Sequence, residues 1–179
     1  MKKIISVFLS VIMLVTSLCF AVSANASVNK MSGEYNYTFV SADKIAIKKY
    51  TGSESTVNIP SKIDGFTVTE ISGAFNVMDS LKKVVIPSTV TTISASFKYD
   101  SNLAEVTIPS SVKTIDAYSF CKNTALKSIV IPSSVTTLDA FQDCTSLTSI
   151  KIGDNISDIS AYAFAESPVY ENQYKKGIV

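Results

Sequence analysis

Asp116 and Asp139 lie 23 residues apart in nearly the same surroundings, Lys-Thr-Ile115-Asp116 and Thr-Thr-Leu138-Asp139. If successive laps of chain stack at this point, the two carboxylates fall around 5 Å apart, the separation of acid and nucleophile in a retaining glycosidase. The competing reading is a solvated column whose other members are Ser72, Ser94 and Ser160. No inserted segment beside the pair would build a cleft, so a polymer hydrolase is the minor reading and a polar surface the major one. Asp154, Asn155 and Asp158 form a polar turn with too few oxygen ligands for a dedicated calcium site. Cys121 directly follows Phe120, whereas Cys144 comes three residues after Phe141. That offset puts the pair at the edge of disulfide geometry, and two buried free thiols are expected.

The remaining catalytic repertoire is missing. All 16 basic residues are lysine, and the chain has no histidine or tryptophan. Imidazole-based nucleophile systems, histidine-ligated zinc and the bidentate arginine fork are therefore excluded. No glycine-rich phosphate loop or nucleophile elbow occurs, and neither a cofactor nor a metal is expected. Against 15 acids the formal charge is +1, which argues against a nucleic-acid partner.

The N-terminus reads as an export signal over residues 1–26. Met1-Lys2-Lys3 is positive, Ile4 to Val22 is mainly apolar, and Ala24-Asn25-Ala26 has the small-x-small form of a cleavage site. Cleavage would remove two lysines and leave 14 bases against 15 acids, a net −1. No second apolar run would hold the mature chain in a membrane, so a secreted or extracellular location, with or without cell-surface association, is expected. Residues 27–34 read as a flexible leader.

What must position any site is a repeat. Leu81-Lys-Lys-Val-Val-Ile-Pro87 returns as Leu103-Ala-Glu-Val-Thr-Ile-Pro109 and as Leu126-Lys-Ser-Ile-Val-Ile-Pro132. A weaker copy, Leu147-Thr-Ser-Ile-Lys-Ile-Gly153, follows, and an earlier one runs from Val57 to Phe75. The leucine spacings are 22, 23 and 21, and each unit closes on Phe97, Phe120, Phe141 or Phe164. Positions 4 and 6 alternate as a short strand does, so Ile86, Ile108 and Ile131 should stack inward. The following proline lacks an amide hydrogen and ends each strand. One lap cannot enclose its own apolar face, but about five stacked laps can.

The unit L-x-x-V-x-I-P-x-S-V-x-x-I-x-x-x-x-F resembles the BspA-type class of leucine-rich repeats, which implies a mainly β solenoid of about five turns over residues 51–167. It also implies a surface or secreted bacterial protein. The likeness transfers no active site, because the matching residues are scaffold. Gly153 departs from the pattern where the other copies have proline, and position 9 (Lys62, Thr89, Ser111, Ser134, Asn155) carries no asparagine ladder.

Tyr35 to Val40 and Lys44 to Tyr50 alternate in the strand manner around Ser41-Ala-Asp43, which predicts a hairpin cap over 35–50. Residues 168–179 form a tail, leaving a C-terminal edge through which copies could self-associate. The functional expectation rests on the outward strand face: Lys82, Lys83, Val85, Glu105, Thr107, Lys127, Ser128, Val130, Ser149 and Lys151. This hydroxyl-rich, mildly basic, curved sheet without aromatics should contact a protein or glycan on another cell or matrix, making the chain a non-enzymatic binding or adhesion module.

Overall fold

The computed structural model describes residues 29–169 and 171. The expected export signal and most of the expected tail lie outside the described residues.

The described residues form a solenoid with two strands per lap, three in the first, behind an N-terminal cap. The cap consists of β1 (Lys30–Ser32), β2 (Tyr35–Phe39) and β3 (Lys44–Tyr50), each antiparallel to the next. Residues 30–32 thus correct the expectation of a loose leader: their amides and carbonyls pair with the edge of β2, so the hairpin becomes a three-stranded cover. The first lap holds β4 (Thr56–Asn58), β5 (Lys62–Ile63) and β6 (Phe66–Ser72). The later laps hold β7 (Lys83–Val85) and β8 (Thr92–Ser94), β9 (Glu105–Thr107) and β10 (Thr114–Ile115), β11 (Ser128–Ile131) and β12 (Thr137–Leu138), then β13 (Ser149–Ile152) and β14 (Asp158–Ile159).

The second strands join the cap in one sheet, ordered β1-β2-β3-β6-β8-β10-β12-β14 with β5 on β6. Its solenoid members run parallel in register, stacking Ile71, Ile93, Ile115, Leu138 and Ile159. The insertion in the first lap is the β5–β6 hairpin, whose two loop residues, Asp64 and Gly65, both have positive φ as a type I′ turn requires. Asp64 ties this hairpin to the cap by accepting Ser32 Oγ at 2.6 Å and Tyr37 Oη at 2.8 Å. Those two donors hold its carboxyl below the usual range. Burial, reinforced by the Asp64 bond, pushes the Tyr37 phenol up to about 12.

The core is a continuous apolar column closed by a file of aromatic rings. Tyr50, Phe75, Phe97, Phe120, Phe141 and Phe164 stack with centroids 5.0, 5.1, 5.2, 5.4 and 6.1 Å apart, the last four interplanar angles being 12° or less. The file reports the rise per lap and shows that the cap's last tyrosine starts the stack. At these corners the backbone passes through the left-handed region at three of the rings, Phe75, Phe97 and Phe120, two residues before two of them at Ala95 and Tyr118, and two residues after five of them at Val77, Tyr99, Lys122, Asp143 and Glu166.

The first strands depart from expectation. They form two sheets, β4-β7-β9 and β11-β13, with no ladder between β9 and β11. Ile86 and Ile131 are buried as the repeat demands, but Val106 and Ile108 are only half-buried, because no strand closes over them on the β11 side. The cap, too, covers only the second-strand sheet; β4 is the terminal strand of its own sheet.

Candidate functional site

The ten residues expected to form the outward strand face all lie on or beside the first strands. Lys82, Glu105, Thr107, Lys127, Ser128, Val130, Ser149 and Lys151 are exposed, and Lys83 and Val85 are half-buried. In-register pairing sets Lys83 beside Glu105, Val85 beside Thr107, Ser128 beside Ser149 and Val130 beside Lys151. Lys83 Nζ meets Glu105 Oε2 at 2.6 Å, so one of the expected cations is already neutralised within the face. The pairing does not bring the ten together as one sheet, because the ladder stops between Thr107 and Ser128. At the break lies an open crevice of about 460 Å³, lined by Glu105, Val106, Thr107, Ile108, Ser128, Ile129 and Val130 among others. Its floor is apolar and its rims carry hydroxyls, a carboxylate and the 59% exposed Val130.

Asp116 and Asp139 are neighbours in register, since Thr114–Ile115 pairs with Thr137–Leu138. Their column is a hydrogen-bonded surface. Lys48 Nζ donates to Ser72 Oγ at 2.8 Å, and Ser94 Oγ donates to Asp116 Oδ2 at 3.2 Å. The other Asp116 oxygen accepts the Ala117 amide at 2.7 Å. These bonds hold the Asp116 carboxylate against the surface through both of its oxygens.

A buried polar file, which the spacing did not reveal, lies three residues after each of the last four rings of the stack: Asp100, Asn123, Cys144 and Ser167. Asp100 Oδ1 accepts the Met78 amide at 2.6 Å, and Asn123 Oδ1 accepts the Asp100 amide at 3.1 Å. Ser167 Oγ accepts the Cys144 amide at 3.0 Å and donates to the Phe141 carbonyl at 2.7 Å. Cys144 Sγ donates to the Phe120 carbonyl at 3.1 Å. Each side chain thus satisfies backbone that the corner leaves unpaired. This is the job an asparagine ladder does, performed at a different position and by four residue types, and the variety of types hid the column from sequence reasoning. Burial pushes the Asp100 carboxyl up to about 7 and the Cys144 thiol up to about 12. Cys121 shifts upward for the same reason, and both thiols are free and buried.

A second feature sequence reasoning missed is the outside of the same corner, where Tyr99, Tyr118 and Tyr162 are 49%, 60% and 70% exposed. Tyr118 and Tyr162 each precede a stacked phenylalanine by two residues, with Asp139 holding that place in the lap between them. Lys122 Nζ lies 5.2 Å over the Tyr99 ring. A depression of about 550 Å³ borders Tyr162, lined also by Thr145, Ala161, Ala165, Glu166 and Ser167 among the described residues.

Comparison with known proteins accounts for this geometry. The model of the BspA type leucine rich repeat region matches residues 43–171 in six copies. No curated protein matches the chain. Among solved structures it is similar to a leucine rich repeat protein of T. pallidum, at 30% identity over 76% of this chain and 66% of that one, with a TM-score of 0.70. A leucine rich cell surface protein of Faecalibacterium prausnitzii A2-165 matches at 24% identity over 80% of this chain and 48% of that one, with a TM-score of 0.60. A leucine-rich repeat protein of Bacteroides capillosus shares the fold at 21% identity over 70% of this chain and 99% of that one, with a TM-score of 0.61. The chain therefore spans just under two thirds of the T. pallidum chain and about half of the F. prausnitzii one. With its in-register laps, its aromatic file and a family match over most of its length, this chain belongs to the BspA-type leucine-rich repeat family.

Proposed function

We propose that this protein is a secreted, non-enzymatic binding module that contacts a protein or glycan on another cell or matrix through its first-strand face. The observation that carries this reading is the crevice between β9 and β11, where a surface otherwise made of lysines and hydroxyls exposes core-type side chains, Val106 and Ile108, beside an exposed Val130. Apolar floor with a few polar groups at the rim is the composition of a recognition site, and exposed strand faces are the surfaces repeat proteins commonly offer. A face only five laps tall is small for a standard interface, so affinity through one copy is modest and multivalent display is the expected mode. The cell-surface description of the F. prausnitzii relative is consistent with export.

The test is capture from bacterial and host surface extracts on immobilised protein, set against two variants, Val130→Glu at the crevice and one with Lys82, Lys83 and Lys127 changed to glutamate. Loss of captured material supports the face. Unchanged capture removes it.

A further inference from the structure

We propose that the corner bearing Tyr118 and Tyr162 is a second binding surface, and that its ligand is a neutral polysaccharide chain lying along the solenoid axis.

Burial in the core does not explain these tyrosines. Tyr118 takes the left-handed backbone, φ 61°, that Ala95 takes two residues before the previous ring, and its own ring lies mostly in water. Tyr162 is the more exposed of the two. The cap tyrosines behave differently: Tyr37 and Tyr50 are buried and spend their hydroxyls on Asp64 and Glu34. Two large rings on one corner stand outside the packed core and are open to a ligand.

The arrangement selects the ligand. The two rings mark laps separated by aromatic steps of 5.4 and 6.1 Å, with Asp139 in the intervening lap. Around them lie Asp116, Ser160, Thr145 and Glu166, the last two lining the depression beside Tyr162. Rings divided by carboxylates and hydroxyls do not make the continuous, charge-depleted apolar centre that a protein interface needs. They suit a ligand that itself alternates C–H faces with hydroxyl edges, every second sugar ring stacking on a tyrosine while the one between hydrogen-bonds to Asp139. Both partners are periodic, and two laps approximate the length of a disaccharide. Tyr99 stands apart, because Lys122 already covers its ring. This surface is separate from the first-strand face, so the two proposals stand or fall independently.

The experiment is affinity electrophoresis of the mature protein through gels containing hydroxyethyl cellulose, xylan or galactomannan. Retardation by at least one polymer is expected. Tyr118→Ala and Tyr162→Ala should each weaken it about tenfold and together abolish it, while Tyr118→Phe and Tyr162→Phe, which keep the stacking surface, should stay within about threefold of wild type. Because glycine suits the Tyr118 backbone, Tyr118→Gly should lose binding while its melting temperature holds or rises, which separates loss of contact from loss of fold. No retardation by any of the three polymers, or retardation unaffected by the alanine pair, overturns the proposal. So does loss of capture of a protein ligand by the alanine pair without retardation by any polymer, which would reassign the corner to a protein. The Lys82/Lys83/Lys127 variant should migrate through the polymer gel with unchanged retardation.

Discussion

Replacing Asp100 with asparagine should stabilise the protein at neutral pH and remove most of the pH dependence of its stability between about 4 and 7. Asp100 has no exposed surface, and its Oδ2 has no hydrogen-bond partner. Burial outweighs the pull of the Met78 and Val77 amides, and Asp79 nearby adds to the upward push, bringing the carboxyl from 3.8 to about 7. Because the folded value lies above the unfolded one, the fold favours the protonated acid. The resulting stabilisation is complete below about pH 4 and is lost as pH rises through 7. At about 1.4 kcal/mol per pH unit the displacement corresponds to a ceiling of about 4 kcal/mol. An asparagine keeps the Oδ1 acceptor for Met78, never ionises, and matches Asn123, which fills the same place in the next lap. Its amide nitrogen would be unpaired, as Asn123 Nδ2 already is, which returns about 1 kcal/mol or more of the gain. The net expectation is a gain of about 2–3 kcal/mol at pH 8, or a rise of roughly 4–12 °C in melting temperature for a domain of this size, shrinking to nothing or reversing at pH 4. Urea denaturation and thermal melts of both proteins across pH 4–8 measure it. A variant less stable than wild type at pH 8, or one retaining the wild-type pH slope, would refute the reasoning.

Three further outcomes follow from the same geometry. Phe120→Ala, which opens a hole between rings 5.2 and 5.4 Å away, should cost about 3–5 kcal/mol in urea denaturation. Val77→Gly should raise stability by about 1 kcal/mol, since a β-branched residue at φ 60° and 68% exposure contributes strain and little burial. Iodoacetamide at pH 8 should leave both cysteines of the native protein unmodified and label both after unfolding in denaturant without reductant, as intact mass will show; a mass lacking both labels would reveal a disulfide.

The repeat, the inward alternation and the closing phenylalanine were legible residue by residue, because a stacked lap must present like side chains at like positions or leave a hole. Cap strands Tyr35–Phe39 and Lys44–Tyr50 were legible for the related reason that half-buried strands alternate. Tertiary structure decided the rest. Whether β9 pairs with β11 depends on how two laps settle against each other, and Glu105-Val106-Thr107-Ile108 carries the same alternation as the strands that do pair. The file of Asp100, Asn123, Cys144 and Ser167 shares a backbone need rather than a residue type, and that need exists only once the corner is folded. The exposure of Tyr118 and Tyr162 is likewise a property of the corner. Spacing alone records which side chains a lap must bury, whereas the groups it leaves to backbone partners and solvent are set by the laps above and below.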